Sequence, residues 1–99
     1  MSHNNRHRYS AHRNVKGRNF ICNSPSAKQV SVVGDFNKWN GSSDPMTQGH
    51  DGVWTANIQL RHGHHRYAFK VDGKFVLDPT AMGITRDDKG ERVSLIAVS

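Results

Sequence analysis

Tyr67-Ala68-Phe69-Lys70-Val71-Asp72-Gly73-Lys74-Phe75-Val76-Leu77 decides the reading of this chain. Asp-Gly between two β-prone runs is a strong signal for a two-residue hairpin turn. If Asp72-Gly73 is that turn, Val71 faces Lys74, Lys70 faces Phe75, Phe69 faces Val76 and Ala68 faces Leu77. Directly opposed residues share one side of a sheet. Tyr67, Phe69, Val71 and Val76 are therefore expected on the core side. Ala68, Lys70, Phe75 and Leu77 are expected on the other, where Phe75 is a large apolar ring exposed beside a lysine.

Other short strands are expected on both sides of this hairpin. Val53–Leu60 alternates: Trp54, Ala56, Ile58 and Leu60 form an apolar face opposite Val53, Thr55, Asn57 and Gln59. Lys28–Val33 is β-branched and apolar and reads as a central strand. Asn19–Asn23, His64–Val71, Lys74–Leu77 and Arg92–Val98 complete the set, with Thr80–Glu91 a long loop. No helical period competes. About seven short strands with turns at these intervals predict an all-β, immunoglobulin-like sandwich over residues 19–99.

Gly34-Asp35-Phe36-Asn37-Lys38-Trp39 reads as a tight polar turn just after a strand. Asp35 and Asn37 can hydrogen-bond nearby backbone, and Gly34 can adopt angles closed to other residues. One aromatic of such a turn can plug the core while the other is held at the surface. Phe36 and Trp54 are expected inside. Trp39 and Phe75 are then two flat rings available to a ligand.

That pairing suits a sugar. A glucose ring has an apolar C–H face that stacks on an aromatic plane and a rim of hydroxyls that takes polar partners. Each stack is worth on the order of 1 kcal/mol beyond its buried area. Two platforms with a few hydrogen bonds reach about 1 mM to 10 μM. Trp39 and Phe75 are the expected platforms, with Lys70, Asn37 and Lys38 as polar neighbours.

The four motifs together, in this order, resemble a family 48 carbohydrate-binding module. They are Gly34–Trp39, Asp51-Gly52-Val53-Trp54, Tyr67–Phe75 and Asp78-Pro79. This is the early-set domain of AMP-activated protein kinase β subunits, also found N-terminal to catalytic domains in glycogen branching enzymes and isoamylases. The resemblance covers roughly residues 19–99. It implies an immunoglobulin-like sandwich without catalytic residues, binding α-1,4-glucans such as glycogen, amylopectin or cyclodextrin. It implies a tryptophan platform at Trp39 and a second at the position of Phe75. A lysine of the kinase-type modules is replaced by Ala68, and Lys70, two residues on, is a candidate substitute. The final loop has Lys89-Gly90-Glu91 where those modules carry leucine, threonine and asparagine. These departures leave room for a scaffold role, docking a kinase subunit or a glucan-metabolising enzyme.

Composition limits the other possibilities. The 99 residues carry a net charge of +6, but Arg6, Arg8, Arg13, Lys16 and Arg18 all precede Asn19. From Asn19 onward nine Lys/Arg face eight Asp/Glu. Residues 1–18 therefore read as a disordered basic tail that could meet nucleic acid. No apolar h-region follows the tail and no apolar run is long enough to span a bilayer, so neither a secretory signal nor a membrane partner is expected. Cys22 is alone, which suits a reducing cytosol. No cofactor is expected, and His50, His62, His64 and His65 lack a completing ligand pattern for a metal. Asp87 and Asp88 read as a solvated turn rather than a hydrolytic pair.

Overall fold

The computed structural model describes residues 15–99, and among them every regular element is a strand. In chain order these are β1 (Val15–Asn23), β2 (Val30–Gly34), β3 (Thr47–Gln48), β4 (Val53–Arg61), β5 (Gly63–Val71), β6 (Lys74–Val76), β7 (Gly83–Arg86) and β8 (Arg92–Val98). One sheet has the order β1-β4-β3. The other runs β2-β5-β8-β7, with β6 also paired to β5. The all-β sandwich expected from the strand pattern is thus present.

The core lies between the inner faces of the two sheets. Phe20 and Cys22 of β1 and Trp54, Ile58 and Leu60 of β4 meet Val30, Val32, Tyr67, Phe69 and Val98 of the larger sheet. The Trp54 indole N–H donates to the Ser24 carbonyl at 2.9 Å, which satisfies the one polar atom of that buried ring. Tyr67 donates its hydroxyl to the buried Asp78 carboxylate at 2.6 Å. Asp78 also accepts the Thr80 amide and hydroxyl. Burial first, then the hydrogen bond and charge of Asp78, hold the Tyr67 phenol well above its ordinary pKa. Asp78, expected only to stop a strand, is therefore a buried anchor.

Four expectations need correction. The first strand starts at Val15, so Val15–Arg18 are not tail but pair with Arg61–Ile58; the rest of the expected tail, residues 1–14, lies outside the described residues. Lys16 and Gly17 are exposed, so backbone pairing rather than an apolar face defines this end of β1. The expected loop over Thr80–Glu91 contains β7, whose Ile84 points outward enough to be 52 % exposed. Val76, expected in the core, is 42 % exposed. A three-stranded sheet faces the larger one, and its cover does not extend to β6, all of which is exposed.

Finally, β2 is buried throughout but stands at one end of its sheet rather than centrally. The segment after the Trp39 turn covers its free edge. Val32 donates to Asp44 O, Met46 donates to Val30 O, and Ser31 bridges to Pro45. Covering an edge in this way removes a template for unwanted strand pairing.

Candidate functional site

The site begins with the turn that follows β2. Asn37 is its organiser. The Asn37 Oδ1 accepts the Gly34 amide at 3.0 Å, and its Nδ2 donates to Val32 O at 3.0 Å and to Asp44 Oδ2 at 2.7 Å. The Trp39 and Asn37 amides both return to Gly34 O. Asp35 faces the other way, accepting the Arg66 amide at 3.0 Å and lying 3.2 Å from His65 Nδ1. These bonds tie the turn to β5.

Gly34 is required here for space rather than for unusual dihedrals, because it is not among the glycines with positive φ. A Cβ at Gly34 would stand 2.5 Å from the Phe36 ring and 2.6 Å from Arg66 O. The unusual dihedrals fall one step later, at Lys38 (φ 57°) and Trp39 (φ 58°). Two successive side-chain-bearing residues in the left-handed region cost about 1–2 kcal/mol each. Strain of that kind gathers where a side chain must be aimed.

The β5–β6 hairpin supplies the opposite half. Its observed register pairs Lys70 with Phe75 and Phe69 with Val76, as the two-residue turn dictates. Asp72 (φ 48°) and Gly73 (φ 88°) both take positive φ, as a type I′ turn requires. The Asp72 carboxylate accepts the Lys28 and Gln29 amides, each at 2.9 Å, which fastens the turn to the approach of β2.

Phe75 is 53 % exposed and Trp39 is half-buried. Their ring centroids are 6.4 Å apart with 18° between the planes. Both line a groove of about 470 Å³, with Lys38 beside them. The opposite wall is Asp87, Asp88, Lys89 and Glu91. Asp87 builds that wall by accepting the Lys89 and Glu91 amides at 2.9 and 2.8 Å. Gly90 (φ 84°) completes the turn.

The five residues singled out from sequence therefore separate. Trp39, Phe75 and Lys38 share the groove. Asn37 is held inside the turn. Lys70 lies along Gly41, in a neighbouring concavity with Asn40 and Ser42. The 87–91 turn carries no sugar-site residue expected from the sequence, although Lys89-Gly90-Glu91 stands where the kinase-type modules have their final loop. Its signal was Lys89-Gly90 within an apparent loop, a hairpin mark hidden by the shortness of β7. Of the histidines, His65 is engaged with Asp35 and with Arg61 O at 2.8 Å. Among the described residues no three His, Cys, Asp or Glu side chains converge as metal ligands.

Comparison with known proteins places the chain in a family. The sequence profile of carbohydrate-binding module 48 (isoamylase N-terminal domain) matches residues 7–93. The 1,4-alpha-glucan branching enzyme GlgB of Deinococcus radiodurans is 42% identical over 59 residues, covering 60% of this chain and 8% of that enzyme. The branching enzyme of Hydrogenovibrio crunogenus is 55% identical over 59 residues, covering 59% of this chain and 8% of that enzyme. That of Synechococcus elongatus is 33% identical over 87 residues, covering 85% of this chain and 11% of the enzyme. The chain thus spans only 8–11% of the length of these relatives. With that family profile matched across residues 7–93, and an all-β sandwich formed by the described residues, the chain belongs to the carbohydrate-binding module 48 family.

Proposed function

We propose that this chain is a non-catalytic α-glucan-binding module that stacks glucose units on Trp39 and Phe75. The observation that carries this reading is the near-parallel pair itself, one ring of which is held by a strained backbone. Parallel platforms can meet the C–H faces of neighbouring glucose rings of one chain. Lys38 and Lys89 offer donors to the hydroxyl rim, and Asp87, Asp88 and Glu91 offer acceptors. Lys70 can reach a further unit from the adjoining concavity. Asn37 contributes by fixing the turn rather than by touching sugar.

The groove is open and holds one indole and one phenyl ring, so affinity is weak, about 1 mM to 10 μM. The ligand class is α-1,4-glucan, which the names of the branching-enzyme relatives share. Glycogen, amylopectin and cyclodextrin all present it. The lone buried thiol of Cys22 fits a cytoplasmic setting. Native gel electrophoresis through glycogen tests the reading. Retardation of the intact chain and its loss in Phe75→Ala support it; equal mobility with and without glycogen contradicts it.

One observation favours a second role. Ile21, Met82 and Ile84 are 55 %, 65 % and 52 % exposed, away from the groove-lining set. Apolar side chains in the open suit contact with another domain of a glucan-metabolising enzyme, or with a kinase subunit. Co-purification of such a partner without any sugar binding would favour docking over glucan recognition.

A further inference from the structure

Beside the aromatic groove lies a second concavity of about 600 Å³ that shares Phe75, Lys89 and Glu91 with it. Topology creates it. Along one edge of β5 the partner changes from β8, which pairs as far as Tyr67, to β6, which starts at Phe69. Ala68 falls at the handover and lines the concavity with only a methyl group. The gap between β6 and the β7–β8 hairpin therefore stays open.

Its charge is lopsided. Arg86 and Arg92 are direct partners across β7 and β8. Like charges placed opposite one another destabilise a sheet unless something lies between them. Among the described residues neither arginine forms an ion pair. Arg86 donates one N–H to Gly90 O at 2.7 Å and keeps its remaining donors. Lys89 brings a third cation, against the single carboxylate of Glu91. A neutral sugar gains little from such a cluster, whereas planar guanidinium forks match the oxygens of a phosphate.

We propose that this concavity is an anion subsite for a phosphate monoester carried on a glucan, with the neighbouring glucose ring stacked on Phe75. Arg92 and the free donors of Arg86 bond the ester oxygens, and Lys89 supplies a point charge. Phe75 joins the two sites, so one ligand occupies both. This inference rests on the glucan reading above.

The test titrates maltoheptaose, and the same oligosaccharide bearing one phosphate monoester, into the full chain. At about 0.02 M salt the phosphorylated form is expected to bind about tenfold tighter, and at about 0.5 M salt the advantage is expected to vanish. Arg92→Gln is expected to erase the preference, leave the affinity for plain maltoheptaose unchanged, and leave the melting temperature no lower because it relieves the opposed charges. Inorganic phosphate is the third ligand. Binding at least tenfold weaker than the phosphorylated oligosaccharide supports a glucan-borne ester, while equal binding overturns it in favour of a free-anion site. Equal affinities for the two oligosaccharides in the unmodified chain overturn the subsite and leave the glucan reading standing. Failure of both to bind overturns the two together.

Discussion

The Trp39 indole and the Phe75 ring stand 18° from parallel with centroids 6.4 Å apart, yet only one of them rests on relaxed backbone. Phe75 projects from the regular strand β6. Trp39 sits at φ 58°, directly after Lys38 at φ 57°. The fold supports that conformation with the Asn37 amide network and with the two turn amides that return to Gly34 O. Aiming of Trp39 thus depends on the turn.

Relief of this strain should be measurable. Lys38→Gly is expected to stabilise the fold by about 0.5–1 kcal/mol, a rise of roughly 3–6 °C in melting temperature. Because Lys38 lines the groove, glucan affinity is expected to fall while stability rises. A lower melting temperature in calorimetry would argue against the left-handed turn.

Asn37→Ala removes the link between Gly34, Val32 and Asp44. Leaving those groups without partners is expected to cost about 2–3 kcal/mol and to weaken glucan binding by freeing Trp39. Denaturant unfolding and cyclodextrin titration read the two effects. Retention of full affinity would show that the indole is aimed by something else.

Gly34→Ala tests the close approach of the turn to β5. The clash involves the Arg66 carbonyl as well as the Phe36 ring, so side-chain movement alone cannot absorb it. About 2 kcal/mol of destabilisation is expected, near 10 °C in melting temperature. The double variant Gly34→Ala/Phe36→Ala is expected to recover none of it, because the backbone contact remains and a core-packed ring is lost.

Alkaline pH should expose the Tyr67–Asp78 pair. The folded state raises the Tyr67 pKa, so it keeps a proton that the unfolded chain releases above about pH 10. The stability this provides is complete below pH 10 and declines as pH rises beyond it, by about 1.4 kcal/mol per pH unit. Tyr67→Phe is expected to be less stable at neutral pH and to show a shallower decline. An unchanged alkaline slope in that variant would place the titration elsewhere.

The parts legible in the sequence were those set by local rules. Asp72-Gly73 admits one tight register, so the pairing of Lys70 with Phe75 followed from the turn alone. The alternation around Trp54 marked the inner face of β4 just as directly. What stayed hidden depended on the other sheet or on backbone alone. Val76 has the right side but no cover. The start of β1 has pairing but no apolar face, and β7 is four residues long with an outward isoleucine. The 87–91 turn looked solvated, and much of it is; only the β7–β8 pairing carries it across from Trp39. A glycine at position 34 suggests dihedral freedom, whereas the missing Cβ is what the turn needs.

Tryptophan fluorescence during cyclodextrin titration tests the central claim most directly. Trp54 is buried in the core, so a ligand-dependent change reports Trp39. A saturable change with a dissociation constant of about 1 mM to 10 μM is expected, abolished in Trp39→Ala with the melting temperature nearly unchanged. A flat response through millimolar cyclodextrin, or undiminished binding measured by calorimetry in Trp39→Ala, would contradict the account.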